Sequence, residues 1–139
     1  MHRRPLGRGR LLAAVAAIII VVGCVLPWWQ IGGGTGLPPM TGNAFEGGGI
    51  VVVFAALGTI ALVTLPYATD RPVAIDRVLS YVGLVALGWI GLVLRVIDLA
   101  TVNVQAMLPD RGPGLWLTVA GLILLARATY DIAREPRYR

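Results

Sequence analysis

LLAAVAAIIIVVGCVLPWWQI, residues 11–31, is an uncharged apolar run directly preceded by Arg8 and Arg10. The hydrocarbon core of a bilayer is about 30 Å thick, and a helix rising about 1.5 Å per residue needs about 20 apolar residues to cross it. The run has that length. Inside lipid, backbone groups find no partners except each other, so the expected conformation is a spanning helix. Three further stretches qualify, at about residues 49–67, 78–100 and 114–133.

Composition points the same way. Of the 139 residues, 57% are apolar and 14% charged, against about a quarter charged in soluble domains. The apolar residues fall in blocks rather than at amphipathic spacing, so too little polar surface remains to cover a soluble core. The expected fold is all-α: one integral membrane domain over residues 1–139, a four-helix bundle running up-down-up-down.

Arginine placement orients it. Arg3, Arg4, Arg8 and Arg10 precede the first span, and Arg71 and Arg77 lie between the second and third. Arg127, Arg134, Arg137 and Arg139 close the chain, and only Arg95 and Arg111 fall towards the other side. The positive side is cytoplasmic, which places both termini inside. Trp28, Trp29 and Trp116 are expected as anchors at the outer boundary, with Tyr67 and Tyr130 at the inner one. The sequence pI near 10.4 does not signal nucleic-acid binding, because the arginines cluster at helix ends. The expected location is the bacterial cytoplasmic (inner) membrane.

Residues 32–48 form a Gly-rich outer loop with Pro38-Pro39, expected as turns and extended chain. Leu37, Met40 and Phe45 could fold it back onto the helix ends. Glu46 is its only acid; it could meet Arg95 or Arg111, but solvation is the favoured reading. A second outer loop, about residues 101–113, carries Pro109-Asp110 and Gly112-Pro113-Gly114 as turn signals. The inner loop, 68–77, is short enough to make its flanking helices antiparallel neighbours.

Helix three carries the candidate site. Tyr81, Leu84, Gly88, Gly91, Arg95 and Asp98 recur at steps of three and four and share a face. Gly88 and Gly91 allow a neighbouring backbone to approach, and the Trp89 ring can fill space beside the glycines of a neighbour. Arg95 and Asp98 can pair with each other, since ionisable groups in a span cost about 2.5–3.5 kcal/mol each at its centre. They could hold an anion, a lipid headgroup or a partner, or simply set the depth of the helix. Arg127 and Asp131 have pairing spacing near the inner end. Ala13, Ala16, Ala17, Ile20, Gly23 and Cys24 on helix one, and Gly114, Thr118, Gly121 and Ala128 on helix four, read as packing seams.

Val21-Val22-Gly23-Cys24 resembles the lipobox of bacterial lipoproteins, whose cysteine is lipidated after cleavage. Val25, Leu26, Trp28 and Trp29 continue the apolar run beyond it, so a packed cysteine is favoured over a protein cleaved before Cys24. The single Cys and single His offer no thiol pair or Cys/His metal set. No span contains a His for haem. No cofactor, metal or enzymatic activity is expected.

The layout, with Leu26-Pro27-Trp28-Trp29 closing helix one before a Gly-rich loop, resembles small uncharacterised four-helix membrane proteins of high-GC bacteria, of actinobacterial or green non-sulfur type. The resemblance covers the whole chain and implies no activity. The expected role is a non-catalytic accessory or structural subunit of a larger membrane complex, respiratory and photosynthetic assemblies being examples. Its expected partners are lipids and other integral membrane subunits. The alternative is a small oligomeric transporter or ligand binder using the face around Arg95, Asp98 and Trp89.

Overall fold

The computed structural model describes residues 7–34, 36–69 and 76–135. Arg3, Arg4, Arg71, Arg137 and Arg139 of the orientation argument, and most of the inner loop, lie outside the described residues. The elements are α1 (Arg8–Val25), β1 (Trp29–Ile31), β2 (Met40–Gly42), α2 (Gly49–Ala68), α3 (Arg77–Val102), a short 3-10 helix (Val104–Met107) and α4 (Pro113–Arg134). All four α-helices are long and apolar enough to cross a membrane, their best segments having mean hydropathies of 2.1, 2.3, 2.0 and 1.4.

The described helices run antiparallel in sequence order. On the α1–α4 seam, the position a Cβ would take on Gly9 lies 2.6 Å from Ile132 Cγ1; at Gly121 it lies 2.6 Å from Ile20 Cγ1. Each glycine therefore receives a large side chain of the other helix. The start of α1 and the end of α4 consequently share one end of the bundle. On the α2–α3 seam, Gly91 faces Val51 and Gly58 faces Leu84. Contacts are most extensive between α1 and α4, next between α2 and α3, and sparser between α3 and α4. The core seams expected on helices one and four are buried at every position named above for them. Buried Thr59, Thr118 and Thr129 each donate to the carbonyl four residues back, at 2.8, 2.8 and 2.9 Å, so none carries an orphan hydroxyl.

Two expectations need correction. Helix one ends at Val25, not at residue 31, because Pro27 follows. A residue before proline is pushed out of the α region, and Leu26 is extended at φ −70°, ψ 156°. The fold is also not purely helical. Trp29–Ile31 pairs antiparallel with Met40–Gly42, in the register Trp29↔Gly42, Gln30↔Thr41, Ile31↔Met40. The turn between these strands uses Gly32 and Gly33 at φ +86° and +91°, a region that penalises any side chain.

The hairpin is tied to the helix ends by the backbone. Trp28 N donates to Gly42 O at 2.7 Å, Ala44 N to Cys24 O at 3.3 Å and Gly114 N to Pro27 O at 2.9 Å. At the opposite end, Asp76 caps α3 by accepting from Val78 N and Leu79 N at 3.1 and 3.4 Å. Arg127 Nε meets Asp131 Oδ1 at 3.4 Å as its spacing implies, and the Arg134 guanidinium stacks 4.2 Å over the Tyr130 ring.

Candidate functional site

The polar site is at the end of the bundle that carries the hairpin. Arg95 stands two turns from the end of α3, where the residues before α2 cross it. Gly47, at φ +56°, turns the chain so that its backbone lies against the guanidinium; a Cβ there would sit 3.1 Å from Arg95 Nη1. A Cβ on Gly48 would lie 3.5 Å from Arg95 N and 3.6 Å from Gly91 O. Gly47 and Gly48 therefore let the loop lie flat on α3. That placement brings Glu46 Oε2 to 3.1 Å from Arg95 Nη2. Arg95 is 12% exposed in its side chain and Glu46 51%, so the pair is hidden at one end and wet at the other.

Glu46 is thus the partner of Arg95, and the solvated reading of this acid does not hold. The Arg95–Asp98 pair does not form. The two positions are about 60° apart around the helix at about 100° per residue. Arg95 turns towards the loop while Asp98 is exposed, its carboxylate without an ion-pair partner among the described residues. The Asp98 backbone carbonyl accepts from Thr101 Oγ1 at 2.6 Å.

Two donors beside the ion pair are buried without a hydrogen-bond partner among the described residues: Arg95 Nε and Trp29 Nε1. Gly42 packs against both the Trp29 indole and the Glu46 carboxylate. Trp29, Ile31, Arg95, Leu99, Val102 and Asn103 line a recess of about 140 Å³ with Ala106. It is close in size to a cavity that holds one benzene ring and well below a drug-sized pocket.

Gly88 and Gly91, expected at a ligand or partner contact, are buried in the chain's own packing. A Cβ on Gly88 would come 2.7 Å from Leu122 Cδ2, and on Gly91 2.8 Å from Val51 Cβ. Trp89 is half-buried against the core. The three expected anchors divide. Trp116 is half-exposed and donates from Nε1 to Met107 O at 2.9 Å, so its indole N–H is satisfied. Trp29 is half-buried in the hairpin. Trp28 is fully buried and is a core residue, not an anchor, because the bend at Pro27 turns it inward.

Trp28 also makes a contact that sequence reading missed. The Gly23 carbonyl would ordinarily accept from residue 27, but Pro27 has no N–H. The Trp28 indole Nε1 donates to Gly23 O instead, at 2.9 Å. A proline four residues after a helical carbonyl, with an indole next to it, was the available signal. Cys24 is buried, and the residues before it that a lipoprotein cleavage would remove include Ala13, Ala16, Ala17, Ile20 and Gly23 of the core.

The chain matches no family model, no curated protein and no solved structure.

Proposed function

We propose that this chain is a non-catalytic accessory subunit of a larger bacterial inner-membrane assembly, crossing the membrane four times with both ends in the cytoplasm. The orientation is supported by arginine placement, since Arg8, Arg10, Arg77, Arg127 and Arg134 all belong to the bundle end opposite the hairpin.

The observation that carries the subunit reading is Gly83. A glycine inside a helix costs about 1 kcal/mol relative to alanine. Gly88 and Gly91 offset that through close helix contact, but the position of a Cβ on Gly83 meets nothing within 4 Å among the described residues. Lipid has no use for a notch in an apolar helix, whereas an adjoining helix does. Leu87, Ile90, Leu94 and Ile97 are exposed on the same outward face, and so is Asp98, which has no ion-pair partner among the described residues. A helix from another subunit carrying a donor at that depth would use both features.

The test is purification from native membranes in mild detergent. A stoichiometric second membrane protein is expected, and it should be lost from Gly83→Trp while the bundle unfolds as before. Recovery of the wild-type chain alone would reject the role. Orientation is tested separately by single cysteines at positions 8, 37 and 135 in a Cys24→Ser background. Only position 37 should react with an impermeant maleimide in intact cells.

A further inference from the structure

We infer that the β1–β2 hairpin lies in the outer interface of the bilayer, with lipid as the partner of its exposed apolar side chains. This rests on the membrane reading above, but not on the accessory role. Leu37, Met40 and Phe45 do not fold back onto the helix ends as the composition suggested. They are 68%, 65% and 50% exposed, and Ile31 is exposed beside them. The stretch from Trp29 to Phe45 contains no Asp, Glu, Lys, Arg or His. A water-facing loop would place polar or charged groups at such sites; an uncharged loop with projecting Leu, Met and Phe suits the boundary where headgroups meet acyl chains.

The depth is set by the fold. The 18 residues of α1 extend about 27 Å, close to the thickness of the hydrocarbon core. The end of α1 at Val25 thus reaches the outer boundary, and the hairpin begins four residues later. Its bonds to Cys24 O and from Trp28 N prevent it from standing away from that level. The apolar surface is also continuous with the part of the bundle that lipid must cover. Val102, Leu108 and half-exposed Trp116 stand exposed at the same end, and the Trp116 indole is placed as interfacial tryptophans are. The occupant is therefore the outer leaflet itself.

The test uses the full chain with Cys24→Ser, carrying a bimane-labelled single cysteine at Leu37→Cys or, separately, at Ile90→Cys. Each is reconstituted into vesicles of phosphatidylcholine and phosphatidylglycerol, with or without doxyl groups placed near the ester end of the acyl chain for position 37 and near its middle for position 90. Leu37 is largely exposed, so its replacement does not disturb the core. The expected result at position 37 is blue-shifted emission, at least twofold quenching by the doxyl lipids and little quenching by iodide. Iodide quenching without lipid quenching at 37 would overturn the inference. Protection from both would also overturn it, by assigning the surface to protein. Position 90, on the outward face of α3, separates the two readings. If it too escapes the doxyl lipids, the membrane reading fails; if it is quenched while 37 is not, only the hairpin placement fails.

Discussion

Replacing Trp28 with phenylalanine isolates the contact that closes the first helix. In the native chain the Gly23 carbonyl is satisfied by the Trp28 indole at 2.9 Å, in a place that solvent does not reach. Phenylalanine fills much of the same space but brings no donor. A buried acceptor left without a partner costs about 1–3 kcal/mol. The lost contacts of the larger ring add about 1 kcal/mol, a fraction of the about 3–5 kcal/mol for truncating a buried tryptophan to alanine. Trp28→Phe should therefore destabilise the protein by about 2–4 kcal/mol, measured by reversible SDS titration in detergent micelles and followed by far-ultraviolet circular dichroism. Pro27→Ala supplies the control, because it restores a backbone N–H at the position from which Gly23 O would ordinarily accept. Alone, it should shift stability by no more than about 1 kcal/mol, as the indole already serves that carbonyl. Combined with Trp28→Phe, it should recover about 1 kcal/mol, giving measurable coupling between the two sites. A loss below about 0.5 kcal/mol for Trp28→Phe, or strict additivity of the pair, would refute the proposed replacement of a missing helix bond.

Three further outcomes follow from the packing. Gly23→Val should destabilise the α1–α4 seam by about 1–3 kcal/mol, since its Cβ would lie 2.8 Å from Thr118 N and 3.0 Å from Gly114 O, both backbone atoms. In the same assay Gly83→Ala should be neutral or stabilising by up to about 1 kcal/mol; equal effects at both glycines would contradict the seam. Glu46→Gln should cost about 1–2 kcal/mol, between an exposed pair and a buried one because Glu46 is half in solvent, and should speed amide exchange over residues 44–48. Unchanged exchange would mean that the ion pair does not hold the loop. Cys24 should be alkylated at least roughly tenfold more slowly in the folded protein than in SDS, as local opening must come first, and equal rates would contradict its burial.

Much of the bundle was legible because a long apolar helix is a local property. Length and apolarity identified all four helices, and the ends of α2 and α4 away from the hairpin fall within one residue of the expected ones. Small residues at helical spacing marked a packing face on α1 and another on α4, since only they let two backbones approach; that the two faces meet is seen in the structure. The site was less legible. Arg95 stood out because an ionisable residue in a span is costly, but its partner was sought three residues away on its own helix. Glu46 lies 49 positions earlier in sequence and meets it only because Gly47 and Gly48 let the loop cross α3.

The sequence by itself determined the number of helices, their antiparallel succession and the faces of α1 and α4 that pack. These depend on residues close together in the chain and on the cost of placing charge or bare backbone in hydrocarbon. Tertiary structure alone decided which way each side chain at a helix end turned. Trp28 and Trp29 are adjacent and chemically identical, yet one fills the core and the other flanks the ion pair. The bend at Pro27 and the pairing with residues 40–42 set the two directions, and neither can be computed from local spacing. The same holds for the α3 glycines: Gly88 and Gly91 are filled by Leu122 and Val51, while Gly83 opens outward, because helix rotation is settled by the sum of contacts with neighbours.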